Sequence, residues 1–150
     1  MIITFCGHSQ FQCSKELEQK ILDILEKEVG DISAEMYLGG YGDFDEFAYR
    51  CCKKYKETHP NIKLIFVTPY LFPEYQKNQL SELSSRYDFI LYPPLEDTLP
   101  RFAIIYRNRY MVDAADFVIA FVSHSFGGAH TTLKYAQKKR KKIFNLAMKG

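Results

Sequence analysis

No two cysteines in this 150-residue chain stand at C-x-x-C spacing. Its four, Cys6, Cys13, Cys51 and Cys52, have no histidine at zinc-ligand spacing beside them, so no metal site is expected. Cys51 and Cys52 are adjacent in a helical pattern where they cannot easily pair, which fits reduced thiols and a cytoplasmic setting. No basic region, apolar core or cleavage site opens the chain, and no run is long enough to span a bilayer, so neither a signal peptide nor membrane association is expected. The net charge is only +2, which implies no general polyanion-binding surface.

Acidic residues are missing altogether from Phe117 to Gly150, whereas Lys134, Lys138, Lys139, Arg140, Lys141, Lys142 and Lys149 all lie there. An anion bound in this segment would meet no opposing carboxylate. Basic residues late in a helix also complement its macrodipole and are usually solvated, so the Lys138 to Lys142 run has a plain explanation. Two nucleotide signatures are absent as well. Neither Gly39-Gly40-Tyr41-Gly42 nor Gly127-Gly128 gives G-x-G-x-x-G, and no G-x-x-x-x-G-K-[ST] loop occurs, which argues against NAD dehydrogenases and P-loop NTPases.

What is present is an ordinary globular composition, 47% hydrophobic and 25% charged, in a length that suits one domain spanning residues 1–150. Met1 to Phe5 reads as a strand ending at Cys6-Gly7-His8-Ser9. From Ser14, a plausible N-cap, Leu17, Ile21, Leu22, Ile24, Leu25 and Val29 recur at helical spacing, and Gly30 is the stop. The unit then repeats: a strand from Ala34 to Leu38, a glycine loop, and a helix from Phe44 to Thr58. Ile62 to Thr68 gives a third strand, followed by a helix near Tyr75 to Ser84 and a short strand from Asp88 to Tyr92 that Pro93-Pro94 ends. Thr98-Leu99-Pro100 predicts a helix start with Thr98 as cap, leading through Arg101 to Ala115. A buried strand from Asp116 to Val122, the Gly127-Gly128 turn, another helix and a last strand from Lys142 to Ala147 complete the chain.

This alternation predicts an α/β fold: a single-domain, Rossmann-like three-layer sandwich with a mostly parallel sheet. In such a sheet every strand-to-helix loop emerges at the carboxyl edge. Gly7-His8-Ser9, Gly39 to Asp45 and Ser123 to Thr132 should therefore converge, at the edge where ligands bind. Amides at a helix start, with no Cβ on the glycines before them, make a phosphate-binding loop. Tyr41, Tyr70, Phe72 and Phe126 lie in loops at this edge and are placed either to stack on a base or to pack in a core or dimer contact.

Cys6-Gly7-His8, Gly39-Gly40-Tyr41-Gly42-Asp43-Phe44-Asp45, and Arg107-Asn108-Arg109-Tyr110-Met111-Val112-Asp113 leading to Gly127-Gly128-Ala129-His130-Thr131-Thr132 together resemble the SLOG superfamily, and within it the small YpsA-like branch of unknown function. The superfamily takes its name from the DNA-processing A protein and the Lonely Guy enzymes. The resemblance implies a Rossmann-like fold that binds nucleotides, nucleotide derivatives or nucleic acid, and it makes a homodimer plausible. It also implies a site in which Gly127, Gly128, Thr131 and Thr132 hold phosphate, Arg107 and Asn108 face the same crevice beside Gly7 and His8, and Gly39, Gly40 and Asp45 lie opposite. Asp45 would accept hydrogen bonds from ribose hydroxyls; as a helix N-terminal acid it also has a purely structural explanation.

Lonely Guy phosphoribohydrolases carry Pro-Gly-Gly-x-Gly-Thr-x-x-Glu, and here the proline position is Phe126, the third glycine His130 and the glutamate Lys134. A lysine cannot stabilise an oxocarbenium-like centre or act there as a carboxylate base. Whether the protein is an enzyme thus stays open, with Lys134 weighing against it. The leading expectation is an intracellular binder or sensor of a nucleotide or ADP-ribose-like ligand, with no certain cofactor. The alternatives are an enzyme cleaving an N-glycosidic or phosphate bond with His8, Asp45 or Asp113 as acid or base, and single-stranded nucleic-acid binding through Lys138 to Lys142 and exposed tyrosines.

Overall fold

The structure is a computed structural model that describes residues 1–69, 82–95 and 97–147. Six strands form one sheet: β1 (Ile2–Gly7), β2 (Ala34–Leu38), β3 (Ile62–Val67), β4 (Phe89–Leu91), β5 (Phe117–Phe121) and β6 (Lys142–Asn145). Their order is β4-β3-β2-β1-β5-β6, and every neighbouring pair is parallel. Between them run α1 (Lys15–Glu28), α2 (Asp43–Thr58), α3 (Ala103–Ala114) and α4 (Gly128–Lys138). Residues 82–86 are also helical; the rest of the helix expected near Tyr75 to Ser84 lies outside the described residues.

The strands are apolar on both sides because both faces are covered. Ile3 and Phe5 of β1, Met36 and Leu38 of β2 and Ile119 of β5 pack under α1 and α2. Val118 and Ala120 of β5 turn the other way, against Leu133 and Ala136 of α4, while Tyr37, Ile65 and Val67 meet Met111 of α3. Thr4, buried on that second face, donates its hydroxyl to the Tyr37 carbonyl at 3.0 Å and so hides no unpaired polar atom. The layers are helix, sheet, helix, a Rossmann-like sandwich in which the expected mostly parallel sheet is parallel throughout.

Local chemistry sets the element ends. Ser14 caps α1, its hydroxyl accepting the Leu17 N–H at 3.1 Å, and Gly30 follows the helix at φ +58°, a left-handed turn that favours glycine. One expected cap is absent. The segment after Pro94 enters through a short 3-10 turn, Pro100–Phe102, whose N-cap is Leu99 with no side-chain bond, so Thr98 does not start the helix. Proline in the first turn supplies the fixed φ, and the helix proper begins only at Ala103.

The topology creates the site. From β1 the chain steps outward through β2 and β3 to β4, then returns by α3 to the opposite side of β1 as β5. The β1/β5 boundary is the point where strand order reverses, and the loops leaving these two strands diverge above it. Asp116 pins the boundary at its other end: its carboxylate accepts the Ile2 N–H at 2.7 Å, and its own N–H donates to the Ile2 carbonyl at 2.7 Å. Among the described residues no helix is long and apolar enough to cross a membrane.

Ile119, fully buried in β5, reports on this core. Ile119→Ala is expected to lower the unfolding free energy by about 3 kcal/mol in urea titrations.

Candidate ligand crevice

A cavity of about 720 Å³ opens at the carboxyl edge above β1 and β5. Its floor is the end of β1 from Thr4 to Gly7 together with Phe121 of β5. One wall carries Tyr41 and Asp45 from the start of α2, and another carries Ile104, Arg107, Asn108 and Met111 of α3. The rim is the loop from Ser123 to Gly128, with Ala129 and Thr132 of α4 behind it.

Two helices begin at this edge with the same backbone device. Gly42 before α2 and Gly127 before α4 both have φ +90°, and neither helix has a side-chain cap. Their first-turn amides meet different fates. At α2 the Asp43 and Phe44 N–H groups donate to the carbonyls of Ser9 and His8, at 2.8 and 3.4 Å, and the Asp43 carboxylate returns the tie by accepting the Phe11 N–H at 3.2 Å. The loop after β1 thus plugs α2. Among the described residues no such loop covers α4, where a Cβ built on Gly128 would meet nothing within 4 Å. Its leading amides have no partner inside the helix, and Gly127, Gly128 and Ala129 lie at the cavity rim. An uncapped helix start of this kind favours a negative charge.

The charged side chains of the cavity are differently committed. Arg107 is 2% exposed. Its Nη1 donates to the carbonyls of Gly39 at 3.0 Å and Val67 at 2.7 Å, and its Nε donates to Asn108 Oδ1 at 2.9 Å. Through Nη1 the guanidinium fastens α3 to the ends of β2 and β3. Asp45 accepts the Tyr41 N–H at 3.0 Å. Burial pushes its carboxyl up to about 6, against the lowering effects of the Tyr41 bond and of Arg107. Cys6 also lines the cavity, and burial, with a smaller contribution from Asp45, pushes its thiol up to about 12, which keeps it protonated and unreactive.

Histidine and aromatic rings finish the rim. His8, at the end of β1, accepts the Ser123 N–H on its Nε2 at 2.9 Å. His124 lies flat on His8, with centroids 3.6 Å apart and planes inclined by 13°, and Phe126 stacks on His124 at 3.9 Å. Phe126 is 69% exposed and Tyr41, across the opening, 66%.

Of the residues expected at the site, Gly7, His8, Asp45, Arg107, Asn108, Gly127, Gly128 and Thr132 line this cavity. Gly39, Gly40, Thr131 and Asp113 do not, for identifiable reasons. Gly39 backs onto the Arg107 guanidinium, which would lie 3.2 Å from an added Cβ; Gly40 has φ +66° beside the Phe66 ring. Thr131 is exposed on the solvent side of α4, while Thr132 is buried toward the cavity; both hydroxyls donate to carbonyls four residues earlier, at 3.1 and 3.0 Å. Asp113 accepts the Tyr135 hydroxyl on the exposed side of α3. Tyr70 and Phe72 lie outside the described residues. The sequence reasoning passed over Gln10, Phe11 and Gln12, which follow His8 into the cavity wall; a polar loop with one phenylalanine offered no periodic signal. Among the described residues no cluster of three or more His, Cys, Asp or Glu could hold a metal ion.

No protein-family model and no curated protein matches the chain. Solved structures do share its fold. DNA processing protein A from Helicobacter pylori aligns with a TM-score of 0.63 and 20% identity over 99% of this chain and 66% of that one. The Streptococcus pneumoniae protein of the same name aligns with a TM-score of 0.61 and 16% identity over 95% of this chain and 49% of that one. The chain therefore spans just under two thirds of the first and about half of the second. The Helicobacter pylori structure is described by its single-stranded DNA binding mode.

Two substitutions test the assignments made for the cavity walls. Arg107→Leu strips donors from two buried carbonyls and should destabilise the protein by about 3 kcal/mol in urea titrations, whether or not ligand is present. Asp45 has a folded pKa above its unfolded value of 3.8, so its stabilising contribution is complete below 3.8 and is lost as pH rises through about 6. Asp45→Asn should accordingly gain on the wild type between these limits, by on the order of 2 kcal/mol, in unfolding titrations repeated across that range.

Proposed function

We propose that the crevice binds a nucleotide unit, with a phosphate on the open amides at the start of α4 and the base against the aromatic rim. The observation that carries this is the contrast between the two helix starts: the β1 loop plugs α2, while α4 stands uncovered beside a cavity of about 720 Å³. That volume suits a small ligand of nucleotide or ADP-ribose size. Phosphate is then held by Gly128 and Ala129 N–H groups rather than by Arg107, whose bonds run to carbonyls. Tyr41 and Phe126 supply exposed ring faces for stacking, and Asp45 is placed in the wall to accept from hydroxyls.

A free nucleotide or nucleotide derivative is the first source of this unit, and a cytoplasmic sensor of the YpsA-like branch is the corresponding role. Single-stranded DNA is the second source. It is favoured by the fold neighbour from Helicobacter pylori that binds it, and it presents the same phosphate and base in a chain. The basic run gives that reading little local support. Lys141 donates to the carbonyls of Asp113 and Ala115, and Lys142 pairs with Glu28 at 2.9 Å, both at the sheet end away from the crevice.

Gly128→Asp tests the seat itself. Space is open at this position and an acid suits a helix start, so the variant should fold as well as the wild type while anion binding falls by more than about tenfold. Calorimetric titration with ADP, ADP-ribose and an oligothymidylate at several salt concentrations separates the sources. Mononucleotide binding supports the first, oligonucleotide binding alone with a steep salt slope supports the second, and equal affinities in wild type and variant reject the seat. Chromatography of the same mixtures tests for cleavage, with Asp45 the carboxylate in place to serve it.

A further inference from the structure

His8 is 8% exposed at the back of the crevice, and its Nε2 accepts a backbone N–H from a residue 115 positions later in the chain. A ring nitrogen that accepts carries no proton. His8 is therefore neutral, with its hydrogen on Nδ1. Through this one bond the end of β1 holds Ser123, the first residue beyond Val122 on the segment that leads to Gly127 and Gly128. The same segment lays His124 flat on the His8 ring, and the His124 Nδ1 bonds the Phe126 carbonyl oxygen at 3.0 Å, so the rim is built on His8 as on a post.

We infer that neutral His8 is the positioning residue of the crevice, a latch that holds the segment from Ser123 to Phe126 so that the start of α4 faces the cavity, and that its protonation releases that segment. This rests on the reading of the crevice as an anion seat. The chemistry is a change of donor count. Protonated imidazole has an N–H on both nitrogens, so the Ser123 N–H would face a donor instead of an acceptor. It would also set a cation against the face of a second imidazole 3.6 Å away.

The groups that bear on His8 come from four elements. His124 touches it from the β5 loop, Cys6 precedes it on β1, and Asp45 of α2 and Arg107 of α3 line the same cavity. Cys6 is held protonated by its own burial and Arg107 is bonded to backbone carbonyls; Asp45, bonded to the Tyr41 amide, takes up its proton as pH falls through about 6, and His124 is the ring in direct contact. Burial, and to a lesser extent His124, hold the His8 pKa below its ordinary 6.5. The sign follows. An unfolded or released histidine takes up its proton first, so the latch is fully effective above 6.5 and weakens as pH falls through the lowered folded value.

The test separates the latch from the ligand. In ligand-free protein, nitrogen NMR of the His8 ring is expected to show the Nδ1–H tautomer at about pH 7.5, and Ser123 amide protection should fall about tenfold or more as the ring titrates. His8→Gln keeps an oxygen able to accept but cannot titrate, so Ser123 protection should become flat with pH. ADP-ribose, whose phosphates are both diesters and keep their charge in this range, is the binding probe. Measured in an Asp45→Asn background, which removes the carboxyl that titrates at about 6, its affinity should drop about tenfold between about pH 7.5 and 5.5 with His8 in place, and the ratio between the two pH values should approach one when His8→Gln is added, whatever the absolute affinity. An Nε2–H tautomer at neutral pH, or a Gln variant that follows the wild-type profile, overturns the latch. If ADP-ribose binds at no pH, the ligand reading fails for that class and the NMR arm alone decides the latch.

Discussion

One buried guanidinium makes the return of the chain possible. Having gone outward to β4, the backbone must recross the sheet to place β5 on the far side of β1, and α3 is the element that recrosses. It passes over the ends of β2 and β3, where the Gly39 and Val67 carbonyls lie. Arg107 takes the Gly39 and Val67 oxygens together on a single Nη1. A cation stays buried there because it meets oxygen dipoles rather than hydrocarbon. With α3 fixed in this way, its Ile104, Asn108 and Met111 form one wall of the crevice, and the Tyr41 to Asp45 turn is held opposite.

The crevice is thus shaped by structural bonds and left polar by what those bonds omit. The loop after β1 spends its carbonyls on α2 and its histidine ring on Ser123. Among the described residues nothing comparable reaches α4. If the crevice takes an anion as proposed, backbone dipoles would hold it in a pocket where the guanidinium of Arg107 and the carboxyl of Asp45 oppose each other. A pocket of that kind discriminates by shape and by donor direction more than by net charge.

Most of the fold was legible in the sequence because its signals are local. Alternation, apolar runs such as Phe117 to Val122, and glycine stops such as Gly30 gave the strands, helices and layers, and with them the edge at which the loops meet. The convergence of Gly7, Gly127 and Gly128 followed from topology alone. What stayed illegible has a different cause. Arg107 carries the signature of an anion ligand, yet its partners are carbonyls 68 and 40 positions away, which no pattern of residue types reveals. Thr98 has the right chemistry for a cap, but the 3-10 entry through Pro100 starts one residue later. His8 could be named as a histidine of the site; its tautomer depends on a backbone group of another loop. Gly39 and Gly40 were correct as glycines and serve the packing of Arg107 and Phe66.

The distance between the crevice and the basic run acts as a ruler. The open amides sit at the first turn of α4 and the run begins at Lys138, its last residue, so the length of an 11-residue helix, about 16 Å, separates them. A single nucleotide cannot touch both ends. A flexible polymer several units long can, if it lies along the outside of α4, where Lys134 stands exposed midway. On the proposed reading a short ligand would stay clear of the exposed Lys134 and Lys138 while a long one would reach them, so chain length alone would set how strongly binding responds to added salt.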